Sequence, residues 1–99
     1  MHARMGIVAM SPEDFEQGIK IMSTQALPAI RLLPGYKGGL ILGDAEAGKA
    51  VYVTFWESEE DMRRSEQDAS VLRQDSAAAL GVDEIPIERY EVMVLELPD

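Results

Sequence analysis

Ninety-nine residues, 46% hydrophobic and 27% charged, make one domain of ordinary globular composition, residues 1–99, with room for only a modest core. A net charge of −9 favours solubility and sets the chain against nucleic-acid phosphates and anionic membrane surfaces. The chain has no cysteine and a single histidine, His2, which excludes disulfides, thiolate chemistry and a multi-histidine metal site within one chain.

Residues 3–10 alternate as a first strand, with Met5, Ile7 and Ala9 on one face and Arg4, Gly6, Val8 and Met10 on the other. Ser11-Pro12-Glu13-Asp14 reads as a helix start: a capping serine, a proline in the first turn, then two acids. Phe15, Ile19, Met22, Ala26, Ile30 and Leu33 follow in steps of three and four, so they share one helical stripe. Pro28 predicts a kink or break near Gln25, and Pro34-Gly35 a stop. Tyr36 to Gly43 is a second strand, Asp44 to Gly48 a polar turn and Lys49 to Glu57 a third strand, forming a hairpin.

Ser58, followed by Glu59, Glu60 and Asp61, caps the next helix. Met62, Ala69 and Leu72 turn inward, a restart is signalled at Asp68-Ala69-Ser70, and the helical stretch ends at Gly81. Val82 to Pro86 is a linker. Ile87 to Leu97 is a long last strand, with Tyr90, Val92 and Val94 on one face and Arg89, Glu91, Met93 and Leu95 on the other. The longest apolar run is far short of the roughly 20 residues of a membrane helix. No continuous apolar signal core stands at the N-terminus, so a cytoplasmic protein is expected.

The order β-α-β-β-α-β is the ferredoxin-like, split βαβ arrangement of an α+β domain. The set Met5/Ile7/Ala9, Val51/Val53/Phe55 and Tyr90/Val92/Val94 is almost wholly apolar and is expected to lie under the helices. The opposite set carries Arg4, Tyr52, Thr54, Trp56, Arg89 and Glu91 among apolar groups. Too apolar for open solvent, that face is expected to be a homodimer interface, a ligand cavity, or both.

The helix-end motif Leu33-Pro34-Gly35-Tyr36-Lys37-Gly38, the hairpin after it, and Thr54-Phe55-Trp56-Glu57-Ser58 leading into an acidic helix start carry a resemblance. Over nearly its whole length the chain resembles the antibiotic-biosynthesis-monooxygenase-like domain of the dimeric α+β barrel superfamily. The resemblance implies a homodimer whose two sheets form a barrel, with a small pocket in each subunit between sheet and helices. Activities known in the family include oxygenation of aromatic polyketides or quinols without a cofactor, and haem degradation. The haem-degrading members use an Asn on the first strand, a Trp on the second helix and a His further along it. This chain has no Asn, Ser65 stands near the Trp position and the Asp75 region near the His position, so the resemblance disfavours haem degradation.

Four residues are candidates for lining a substrate site: Arg4, Tyr52, Trp56 and Arg89. Trp56 is either a packed aromatic at the sheet edge or a wall for a planar ligand. Tyr52, like Tyr90 across the sheet, offers a phenolic proton. Arg4 and Arg89 either form cross-strand ion pairs with Glu91 or hold an anionic or enolate substrate. Glu59, Glu60 and Asp61 point in different directions on their helix and cannot share one ion, so no metal is expected. His2 could act as a base only by reaching the mouth of a barrel, and no catalytic residue is assigned. Two functions stand: a cofactor-independent monooxygenase of a small phenol, quinol or polyketide, and a non-catalytic dimeric domain that binds a small ligand or serves a structural role.

Overall fold

The computed structural model describes residues 1–98. Strands β1 (His2–Ala9), β2 (Tyr36–Asp44), β3 (Lys49–Trp56) and β4 (Ile87–Glu91) form one antiparallel sheet in the order β2-β3-β1-β4. Between β1 and β2 run α1 (Phe15–Ile21), a π-helical segment (Met22–Ala26) and α2 (Leu27–Ile30). Between β3 and β4 run α3 (Glu59–Arg64) and α4 (Glu66–Leu80). This is the ferredoxin-like α+β order expected from the alternation of periodicities.

Local chemistry explains most boundaries. Ser58 caps α3, its hydroxyl accepting from the Asp61 amide at 3.1 Å. Gly81 closes α4 in the left-handed conformation, φ +72°. The hairpin turn is held by the Ala47 amide donating to Asp44 Oδ1 at 3.1 Å. Pro28 has no amide proton to return to Thr24, and just before it the ladder widens: the Leu27 amide reaches back to Met22 O, five residues away. The kink expected near Gln25 is therefore a π-helical turn.

Three expectations are corrected. Ser11 does not cap the first helix: Ser11–Asp14 forms a turn, with the Ser11 hydroxyl donating to Asp14 Oδ2 at 2.9 Å, and α1 starts at Phe15. The break in the second helical stretch falls at Ser65, not at Asp68-Ala69-Ser70. The last strand ends at Glu91 instead of running to Leu97. Its pairing with β1 runs as far as His2 opposite Glu91, and among the described residues those after Glu91 lie in no strand. Met93, Val94 and Leu97 are each at least 80% exposed.

A larger correction concerns the sheet faces. The face beneath the helices is the mixed one: Arg4, Val8, Ala50, Thr54 and Trp56 are all buried there. Val8, Met10, Met22, Ala50, Ala77 and Ile85 make one apolar cluster, and Ile30, Trp56, Met62 and Ala69 make another. The apolar set Met5, Ile7, Val51, Val53 and Phe55 lies on the other face, half-buried, with Leu40 and Leu42 exposed beside it.

Candidate functional site

Register sets the floor of the site. Arg4 stands opposite Thr54 and Arg89, and Gly6 opposite Tyr52 and Ile87. The Tyr52 ring lies across Gly6, where a β-carbon would collide with it. Glycine at this position makes room for the aromatic ring.

Arg4 is 1% exposed, an unusual place for a guanidinium. Its Nη2 donates to Met62 O at 3.0 Å and to Ser65 Oγ at 2.6 Å, and its Nε lies 3.5 Å from Glu66 Oε2. The guanidinium also sits over the Trp56 ring, 5.1 Å from its centroid. Nη1 is buried without a hydrogen-bond partner among the described residues, and so is Nη1 of Arg73. Burial lowers the Arg4 pKa, and Glu66 opposes that shift.

Glu66 serves three arginines. Arg73 Nη2 donates to it at 3.2 Å, Arg89 donates to it through Nε and Nη2, and Arg4 pairs with it. Its own burial works against ionisation, but the Arg89 hydrogen bond and the three positive charges outweigh that and hold the carboxyl below its ordinary range. Three guanidiniums around one carboxylate leave a local excess of positive charge in a chain of net charge −9. Tyr52 stands near the same charges. Burial raises its pKa, and Arg73 and Arg4 offset that only in part, so it is a neutral hydroxyl at physiological pH.

Between sheet and helices lies a cavity of about 40 Å³. Arg4, Tyr52 and Thr54 form its floor, Met22, Ala26, Leu27 and Ile30 one wall, and Leu72, Arg73 and Ser76 another. Its surface is otherwise apolar. A cavity of roughly 150 Å³ accommodates benzene, so a ring-sized ligand enters this one only if a wall moves. The Met22–Ala26 turn, with its widened hydrogen-bond ladder, contributes Met22 and Ala26 to one wall.

Of the four candidate residues, Arg4 and Tyr52 line this cavity. Trp56 is fully buried behind Arg4, its Nε1 donating to Thr54 Oγ1 at 3.0 Å and its ring edge-on to Tyr36 at 5.8 Å. Arg89, 46% exposed, lies outside in an open groove with His2, Glu59 and Glu91. Both arginines pair with Glu66 rather than with Glu91. His2 Nε2 faces Glu59 at 3.8 Å and does not line the cavity.

Sequence reasoning missed Arg73, Ser76 and Glu66. A signal was present: Ala69, Leu72, Arg73, Ser76 and Leu80 recur at helical spacing, so an arginine stands on the inward stripe of α4. Among the described residues, no three histidines or acids converge as a metal site, and no helix is long and apolar enough to cross a membrane.

No protein-family model matches the chain. Two uncharacterized Mycobacterium tuberculosis proteins, from two strains, are each 25% identical over 95 residues, covering 96% of this chain. The chain spans 40% of the length of these curated relatives. Solved structures are similar over almost the whole domain. A Nitrosomonas europaea protein of unknown function has a TM-score of 0.74 at 17% identity, covering 99% of this chain and 94% of that one. The monooxygenase of the ActVA-Orf6 gene of Streptomyces coelicolor, solved in complex with nanaomycin D, has a TM-score of 0.72 at 16% identity, covering 99% and 91%. SnoaB, a cofactor-independent oxygenase from Streptomyces nogalater, has a TM-score of 0.64 at 17% identity, covering 99% and 95%. In its fold, this chain is similar to solved structures named as antibiotic biosynthesis monooxygenases.

Proposed function

We propose that the protein is a cofactor-independent monooxygenase that takes a small phenol or quinol into the cavity beneath its helices. The observation that carries this reading is the largely apolar cavity between sheet and helices, with the Tyr52 hydroxyl and the arginines Arg4 and Arg73 as polar groups. Two neighbours in fold are named as a monooxygenase and a cofactor-independent oxygenase. The chemistry needs little from the protein. A phenol and O₂ give a quinone and water: one oxygen atom enters the ring, the other leaves as water, and the substrate supplies the electrons. The protein excludes water, orients the ring and donates a hydrogen bond from Tyr52.

A second reading has its own observation. Among the described residues, the cavity is lined by no carboxylate and no imidazole that could take the substrate's proton. On that reading the domain binds a small ligand without turnover. In both readings two copies pack their apolar sheet faces together as a homodimer, which the half-exposed Met5, Val53, Phe55 and Leu42 support.

Oxygen uptake with methylhydroquinone and 1,4-naphthohydroquinone tests the first reading. We expect a rate above autoxidation that falls at least about tenfold in Ala26→Phe, which fills the cavity from the π-helical wall. Binding of either quinol without uptake above autoxidation would select the second reading.

A further inference from the structure

We infer that the cavity takes its ligand as an anion, with one carboxylate, phenolate or enolate oxygen group held between Arg4 and Arg73 and an apolar body lying against Met22, Leu27 and Leu72. This rests on the cavity being the ligand site, and not on turnover.

The argument begins with an imbalance. Arg4 has been drawn into the protein until 1% of it remains exposed, yet its Nη1 donates to nothing among the described residues. Arg73, across the cavity on α4, also has a buried Nη1 with no partner there. Buried polar groups are ordinarily satisfied, and an unsatisfied charged donor costs more than a neutral one. One carboxylate, Glu66, answers both arginines, and Arg89 draws on it from outside. An anionic oxygen in the cavity supplies the missing acceptors and the missing negative charge together.

The surroundings strengthen the attraction. The walls are apolar, so the dielectric that screens the two guanidiniums is low. Guanidiniums present planar donors suited to a carboxylate. The neutral Tyr52 hydroxyl can add a hydrogen bond to the same oxygen, and its own ionisation is opposed by burial. For a phenol ligand the same charges favour the ionised form, which provides the anion without a general base.

The test uses matched ligands of one shape and two charges. Trp56 is the only tryptophan and carries Arg4 over its ring, so its fluorescence reports ligands that reach Arg4. Benzoate is titrated against benzamide, and acetate against acetamide as a smaller pair. We expect the anion to bind at least about tenfold more tightly than its amide. That preference should be lost in Arg73→Gln and largely kept in Arg73→Lys. Bound 4-nitrophenol should turn to its yellow phenolate at least about one pH unit below its ordinary pKa; a carboxylate-only site would leave it colourless there while still preferring benzoate. Equal affinity for acid and amide, or no binding by either pair, would overturn the inference. If Arg73→Gln fails to fold, the wild-type ratio of acid to amide still decides. Anion preference without oxygen uptake would sink the monooxygenase and leave the anion site standing. Uptake on neutral quinols with no anion preference would do the reverse.

Discussion

At the scale of single residues, Arg4 and Glu66 organise the interior. Arg4 fastens β1 to the α3–α4 junction through Met62 O and the Ser65 hydroxyl, and Glu66 ties together three arginines from β1, α4 and β4. Because the folded Glu66 carboxyl titrates below its ordinary value of 4.5, its ionisation contributes stability that is present above that value. The contribution is lost as pH falls through the depressed folded pKa. Glu66→Gln cannot follow this change. The melting temperature of wild type should therefore exceed that of Glu66→Gln at neutral pH, with the gap closing as pH falls below about 4.5. A gap that stays constant from neutral to acid would show that Glu66 contributes by packing and not by charge. The side chain is one-third exposed, so the effect is smaller than that of a fully buried pair.

At the scale of elements, termini and irregularities matter more than helix propensity. α3 has only six residues, and an isolated helix of that length does not form in water. The Ser58 cap, three acids in its first turn and Arg63 and Arg64 in its last compensate. Ser58→Ala should cost about 1 kcal/mol, read as a fall in melting temperature of roughly 4–8 °C for a domain of this size. Ser58→Asp, which keeps an acceptor at the cap, should restore most of it. The π-helical turn is the corresponding irregularity on the other side of the cavity. It places Met22 and Ala26 on the cavity wall, and the proline that loosens it stands two residues after it.

At the scale of the whole molecule, the arrangement of apolar surface is the main feature. The helices cover the mixed face of the sheet, while Met5, Ile7, Val51, Val53 and Phe55 remain on the open face with Leu40 and Leu42. The tail from Met93 to Leu97 adds further exposed apolar side chains. Under the proposed homodimer, a second copy covers the open sheet face. Sedimentation or light scattering should give twice the chain mass, and Val53→Glu should give monomers by placing a charge in the middle of the patch. A monomeric wild type at micromolar concentration would refute the homodimer.

Alternation, caps and turn residues were enough to read the order of elements, because those signals are local: Ser58, Gly48, Gly81 and Pro28 each act within a turn of their own position. Up to Glu91, alternation also separated the two sets of strand residues, and the pairing of Arg4, Thr54 and Arg89 keeps them on one face. Which set the helices cover is not a local property. A strand pattern has two faces, and its apolar count misled because Arg4, Thr54 and Trp56 are buried through hydrogen bonds to one another's surroundings and to α3. Tertiary structure decided that face. It also brought Arg73 across to Arg4, over 69 positions of chain, and left a small void between them. Register, crossover and packing are long-range, and the cavity with its two unpartnered guanidinium edges exists only where they meet.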